Sequence, residues 1–472
     1  MRVLLINPPR DNEVMCGSNP RIIEESRGFN PPLGILYVAA ELAKDSEHAV
    51  SVLDCQVEEF GYAQMEEFIV KAEPDIVGIS AMTLTLLDVY KTAEVVKGIN
   101  KRIKVVLGGP HVSLYPDETI KNGNIDFLLL GEGEYSFRKL VDVFNDAEKV
   151  KEIPGIVFKD NGKVIKNPTS ELICDLDEIS FPARRMVPYE KYDSLLTTRS
   201  PVTTMFTSRG CPFQCSFCAR PHLGKKFRMQ SAKRVVEEIR ECVDIGIHEF
   251  LFYDDTFTID RRRVLDICEG ILSSGVDIGW HIRSRVDTID QEMLKLLKKA
   301  GCRGIHYGVE AGTDKTLKAL NKGITIEQVK NTISLTKKHH IPTLAYFMVG
   351  NPGETRSDVI KTFDLMKVLS PDYVHITILT PFPGTKIYED ALSRGIIARD
   401  VWRDFSLEPK EGFVPPVWEE NLSRNELAQL LSDGYRSFYM NPGYALKSLV
   451  RIRSFNEFKK KLSSGLKLLQ LR

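Results

Sequence analysis

The sequence carries no excess charge: 64 basic and 64 acidic residues leave a net charge of zero over 472 residues. A global electrostatic attraction to nucleic acid is therefore missing. No apolar run reaches the length that crosses a membrane. The nine cysteines are an odd number with no regular disulfide spacing, which suits a reducing cytosol. The opening residues, MRVLLINPPRDNEVM, are broken by proline too early to act as a signal peptide. The long loop Pro8–Pro32 lacks histidine altogether. What remains is the composition of a soluble globular protein, 43% hydrophobic and 27% charged, with length for about three domains.

The most specific feature present is Cys211-Pro-Phe-Gln-Cys215-Ser-Phe-Cys218. Three thiolates at C-x3-C-x2-C bind three irons of a [4Fe–4S] cube and leave the fourth iron open to an external ligand. A structural zinc site needs a fourth protein ligand. His222 is the nearest candidate, and no second cysteine pair follows.

Upstream, strands alternate with helices: Arg2–Asn7, Val50–Asp54, Asp75–Ser80, Lys104–Gly109 and Asp126–Gly131 are strands, with helices at Leu33–Ala43, Met65–Ala72, up to Ile99 and Glu134–Phe144. This pattern predicts a doubly wound parallel sheet over residues 1–150. Ligands of such sheets bind at the carboxyl ends of the strands. Those ends hold Asn7-Pro8, Ser80-Ala81-Met82-Thr83, Gly108-Gly109-Pro110-His111 and Glu132-Gly133. Residues 151–200 read as a β-hairpin turning at Asp160-Asn161-Gly162, then a proline-broken connector. Its Arg184-Arg185 pair is expected to be solvated or to bridge domains.

Residues 201–385 contain six strand–helix units, a partial (β/α)6 barrel. Polar residues gather at the carboxyl ends of its strands, where barrel enzymes place their sites. They are Asp254, Asp255 and Thr256, then Arg283 and Arg285, then Glu310, and the fifth strand ends on the glycine Gly350. In residues 386–472, Ser423 and Glu426 form a capping box. It opens a helix whose apolar stripe is Leu427, Leu430, Leu431, Tyr435, Phe438 and Tyr439. From Asn441 onward, eight basic side chains stand against Glu457, a net charge of +7 interleaved with apolar residues. Such an end either packs as a surface helix or lies on an anionic membrane.

The cysteine loop, with Phe217 at its aromatic position, resembles the radical S-adenosylmethionine superfamily. The order of the upstream elements resembles a cobalamin-binding domain. Together they resemble the cobalamin-binding radical enzymes, including the anaerobic magnesium-protoporphyrin ester cyclases and the radical methyltransferases. The resemblance implies three cofactors: a [4Fe–4S] cluster on Cys211, Cys215 and Cys218, S-adenosylmethionine on its open iron, and cobalamin. It assigns Asp254, Asp255 and Thr256 to the methionyl amino group, and Arg283 or Arg285 to the carboxylate. Glu310 falls near the ribose or methionyl end, and Gly350 near adenine. The cobalamin contacts would be Asn7, Pro8, Leu33, Gly34, Ser80, Ala81, Thr83, Gly108, Gly109, Pro110, His111, Glu132 and Gly133. No histidine of the first loop is available to ligate cobalt, although Cys16 lies there. The implied reaction is methylation of an unactivated carbon of a hydrophobic small molecule, with oxidative cyclisation as the alternative and a cobalamin sensor as the non-enzymatic one. A flavodoxin or ferredoxin would supply electrons, and the expected location is the cytoplasm, with membrane contact through the tail. Methylthiotransferases are disfavoured, because Cys16, Cys55 and Cys174 do not fall at matching strand ends.

Overall fold

The computed structural model describes residues 1–16, 28–44, 47–169 and 172–444. The basic tail expected to lie on a surface or a membrane falls almost wholly outside these residues, as does most of the loop that follows Cys16.

The first sheet contains β1 (Arg2–Asn7), β2 (Ala49–Asp54), β3 (Ile76–Ser80), β4 (Lys104–Gly108), β5 (Phe127–Leu129), β6 (Ile156–Asp160) and β7 (Lys163–Lys166). Its order is β2-β1-β3-β4-β5-β6-β7. The first five strands are parallel. Helices α1 (Leu33–Ala43), α2 (Tyr62–Ala72), α3 (Leu86–Ile99) and α4 (Gly133–Asp142) connect them. The hairpin β6–β7, expected in the connector, instead pairs antiparallel with β5 and extends this sheet. The strand order reverses between β1 and β3, which opens a crevice at their carboxyl ends.

The connector wraps both halves. Ala183 bonds back to Leu36 of α1. Tyr192 is fully buried and its hydroxyl donates to Asp54. Arg184 is not solvated: it is buried and pairs with Glu238 at 2.6 Å.

The second sheet runs β8 (Val202–Met205), β9 (Glu249–Phe252), β10 (Gly279–Ser284), β11 (Cys302–Glu310), β12 (Thr343–Val349) and β13 (Tyr373–Ile378), all parallel and in sequential order. Its main helices are α5 (Ala232–Asp244), α6 (Arg261–Ser274), α7 (Gln291–Lys299), α8 (Ile326–Lys338) and α9 (Arg356–Leu369). One face of each strand packs on them: Trp280, Ile305, Phe347 and Ile376 are buried in that core. The barrel stays open, because β8 and β13 do not pair. Then α10 (Lys386–Ser393) and α11 (Val401–Leu407) return to the first sheet, where Trp402 and Tyr388 share a core with Ile79 and Leu107.

The open edge at β13 would expose unpaired backbone. Helix α12 (Arg424–Tyr439) covers it. The expected capping box is present, with the Ser423 hydroxyl accepting from Glu426 N–H. The Tyr435 hydroxyl donates to Ile376 O and accepts from Ile376 N–H, both at 3.0 Å. Tyr439 does the same for Val374. Tyr435→Phe leaves a buried backbone donor and acceptor unmade. Urea unfolding is expected to show a loss of about 1–3 kcal/mol.

Candidate active site at the barrel mouth

The cysteine loop leaves the barrel after β8 and is closed at its base by a two-strand ladder, Ser208–Arg209 against Arg228–Met229. Three buried groups tighten this neck. Asp254 accepts from Thr207 N–H at 2.6 Å, Thr207 Oγ1 at 2.6 Å and Ser208 Oγ at 2.7 Å. Arg263 donates to the carbonyls of Gln230 and Thr207. Gly210 sits at φ +80° directly against the Lys226 carbonyl, so a side chain there meets both backbone strain and backbone atoms.

Inside the loop, Cys211 and Cys215 are electrostatic neighbours of Cys218. Arg220 Nη1 lies 3.1 Å from Cys218 Sγ and Arg285 Nη1 lies 3.8 Å from Cys215 Sγ. Cys211 Sγ lies 3.8 Å from Thr256 Oγ1. Burial pushes the Cys218 thiol up to about 11, and the Arg220 charge opposes it. Among the described residues, no three metal-binding side chains gather as they would around a single ion. Three thiols with guanidinium groups beside two of them fit a cube, in which each thiolate takes a different iron and the anionic cluster needs counter-charge.

The strand-end residues separate into committed and uncommitted groups. Asp254 is fully buried and spent on the neck. Asp255 is exposed beside it, with Arg220 and Arg283 within electrostatic reach. Arg285 is occupied: it pairs with both Asp287 oxygens at 2.9 Å, donates to Lys322 O and stacks on Phe213. Arg283 lies 4.0 Å over the Tyr253 ring and has no carboxylate partner among the described residues. Glu310 is buried and paired with Lys322 at 2.6 Å. It holds φ +73°, beside a register shift in β11. A non-glycine residue in that region costs about 1–3 kcal/mol and marks a constrained site. Lys322 also lies 5.7 Å over Phe217. Gly350, at φ +77°, backs onto Leu427 of α12, so its freedom serves helix packing as well as the turn.

At the switch point of the first sheet, two of the expected loops are knitted together. Ala81 N–H donates to Gly108 O at 2.7 Å, and His111 N–H donates to Ala81 O. His111 Nδ1 meets Thr83 Oγ1 at 3.0 Å. Its Nε2 is buried with no partner among the described residues. Burial lowers this imidazole to about 3, so it stays neutral. Gly109, between Gly108 and Pro110, takes φ +103° against Ala81. A Cβ at Gly108 or Gly34 would meet only open space. A neutral imidazole with one unpartnered nitrogen and open glycine backbone fit a large ligand in this crevice. Other expected contacts are engaged elsewhere. Asn7 donates to Asp54, and Pro8 O accepts from Gln56. Leu33 is buried with Tyr37 and Leu176, and Gly133 faces Val38. Glu132 pairs with Arg209 and Arg228. Cys16 is half-buried.

The inner face of the barrel holds residues that motif reading overlooked. His281 Nδ1 and His306 Nε2 are 3.3 Å apart, and Tyr346 OH is 3.3 Å from His306 Nδ1. The Tyr346 and His375 rings meet edge to face at 5.7 Å. Burial holds His281 at about 4 and His306 well below its ordinary value. The sequence signal is the presence of His281, His306, Tyr346 and His375 within strands, since helix-covered parallel strands usually read as continuously apolar.

Comparisons with known proteins agree with this arrangement. Residues 205–366 match the radical SAM superfamily, and residues 21–141 match the B12 binding domain. An uncharacterised methyltransferase of Pyrococcus horikoshii is 35% identical over 459 residues, 96% of each chain. The anaerobic magnesium-protoporphyrin IX monomethyl ester cyclase of Rubrivivax gelatinosus is 31% identical, over 94% of this chain and 78% of that one. The radical S-adenosylmethionine methyltransferase TsrM of Kitasatospora setae, solved with cobalamin and a [4Fe–4S] cluster, shares the fold with a TM-score of 0.75 at 16% identity, over 99% of both chains. The chain belongs to the cobalamin-binding radical S-adenosylmethionine enzymes. Its cofactors are a [4Fe–4S] cluster, S-adenosylmethionine and cobalamin. No described helix is long and apolar enough to cross a membrane.

Gly210→Ala forces the neck of the loop apart. After anaerobic reconstitution, iron and sulfide analysis is expected to fall well below the wild-type level of about four irons per chain.

Proposed function

We propose that the protein methylates a carbon of a small molecule at the barrel mouth. The observation that carries this reading is the loop of three thiols, flanked by two guanidinium groups and opening beside an unpaired Arg283. Cys211, Cys215 and Cys218 hold three irons. When bound, the cluster with S-adenosylmethionine supplies a 5′-deoxyadenosyl radical, and cobalamin supplies a methyl group. Arg283 pairs with the methionyl carboxylate, since Arg285 is saturated by Asp287. Asp255, the uncommitted carboxylate, faces the ammonium. Thr83, Gly109 and His111 contact the corrinoid. The His306–Tyr346–His375 face supports a substrate with a hydrogen-bonding group near its reactive carbon, which weighs against a purely apolar one. A flavodoxin or ferredoxin supplies the electron. The basic tail supports contact with anionic membranes.

A second reading is oxidative cyclisation, favoured by the 31% identity to the Rubrivivax cyclase. Product analysis separates the two once a substrate is in hand. Methylation yields S-adenosylhomocysteine beside 5′-deoxyadenosine. Cyclisation yields 5′-deoxyadenosine alone, and neither nucleoside would overturn both. Both products are expected to vanish in Cys215→Ala. Arg283→Gln is expected to weaken S-adenosylmethionine binding by about 10-fold or more, from the loss of one charged hydrogen-bonded pair. Equilibrium dialysis of the reconstituted protein measures this. Unchanged affinity would move the carboxylate contact elsewhere.

A further inference from the structure

The base of the cysteine loop is fastened to the first domain by four buried charges. Arg209 and Arg228 stand directly opposite each other in the two-strand ladder. Both reach Glu132, at the start of α4: Arg209 at 2.7 Å, and Arg228 at 2.9 and 2.8 Å to its two oxygens. Arg209 also pairs with Glu134 at 2.6 Å and lies 5.3 Å over the Tyr37 ring of α1. The four side chains are only 2–7% exposed. Glu132 further accepts from Ile173 N–H at 2.8 Å, which pins the connector to the same point. Only Gly210 separates Arg209 from Cys211, the first cysteine of the loop.

One carboxylate thus clamps both strands at the root of the cluster loop from the domain that holds the B12-binding crevice. We propose that Glu132 is a positioning residue that fixes the spacing between cluster and corrinoid by holding Arg209 and Arg228 together. The inference rests on the reading that the chain loads both cofactors. Glu132 does not contact either cofactor in this scheme. Its loss frees the loop to shift against the crevice while the thiols and the glycine turn remain intact.

The test uses full-length protein reconstituted anaerobically with iron, sulfide and hydroxocobalamin, then reduced. Pulsed EPR reads the dipolar coupling between Co(II) and the reduced cluster. Wild type is expected to give one narrow distance distribution. Glu132→Gln and Arg228→Lys are expected to keep iron and corrinoid content while roughly doubling the width of that distribution, as a loosened supporting shell does. Glu249→Gln, which removes a buried carboxylate paired with Arg199 and Arg303 at the start of β9, controls for general destabilisation and should leave the width unchanged. Equal widths in wild type, Glu132→Gln and Arg228→Lys would overturn the proposal. So would equal broadening by Glu249→Gln. If Glu132→Gln alone sheds corrinoid while Arg228→Lys behaves as wild type, Glu132 is a corrinoid contact and the proposal fails. If Glu132→Gln does not fold, the width in Arg228→Lys decides. A wild type that holds a cluster but no corrinoid refutes the two-cofactor reading instead.

Discussion

Charge buried between two domains must be paired, and the root of the cysteine loop is built around that requirement. Glu132 meets Arg209 at 2.7 Å and Arg228 at 2.8 Å, and Glu134 takes the second arm of Arg209. Removing one partner from such a group leaves an uncompensated charge, at a cost of about 3–5 kcal/mol. Asp254 and Arg263 extend the same logic into the barrel, binding the backbone of Thr207 from two sides. A loop of three thiols is soft on its own. Here its ends are set by strand pairing, ion pairs and a glycine that admits no side chain.

Once that root is fixed, the chemistry above it follows from which charges are left over. Most ionisable groups at the barrel mouth already have partners: Arg285 with Asp287, Lys322 with Glu310, Asp254 with the neck. Arg283 and Asp255 remain, one cation and one anion, which suits the zwitterionic methionyl end of S-adenosylmethionine. Deeper in the barrel, burial keeps His281 and His306 neutral. A neutral imidazole and phenol series can donate and accept hydrogen bonds without adding charge to a radical site.

Much of this was legible in the sequence. The strands and helices of both sheets followed from periodicity, and helix α1 falls at Leu33–Ala43 as expected. The cysteine spacing marked the loop that is proposed to hold the cluster. What could not be read was commitment. Asp254 and Asp255 are adjacent and identical in type, yet one is locked in the neck and the other faces out. Glu132 sits at a strand end suited to a cofactor contact, but its partners are 77 and 96 residues away in sequence. The hairpin at Ile156–Lys166 was foreseen as a hairpin, not as two strands of the first sheet, because register with β5 depends on tertiary packing. The polar inner face went unnoticed because each histidine sits singly within an apolar strand.

The most direct test of the central claim is electron–nuclear double resonance on the reduced cluster, with S-adenosylmethionine isotopically labelled at its carboxylate oxygen. Three cysteine ligands and one open iron predict hyperfine coupling between label and cluster, present in wild type and abolished with the cluster in Cys215→Ala. A fully assembled cluster in the wild type with no coupling to the label would mean that its fourth iron is not open, and would contradict the account.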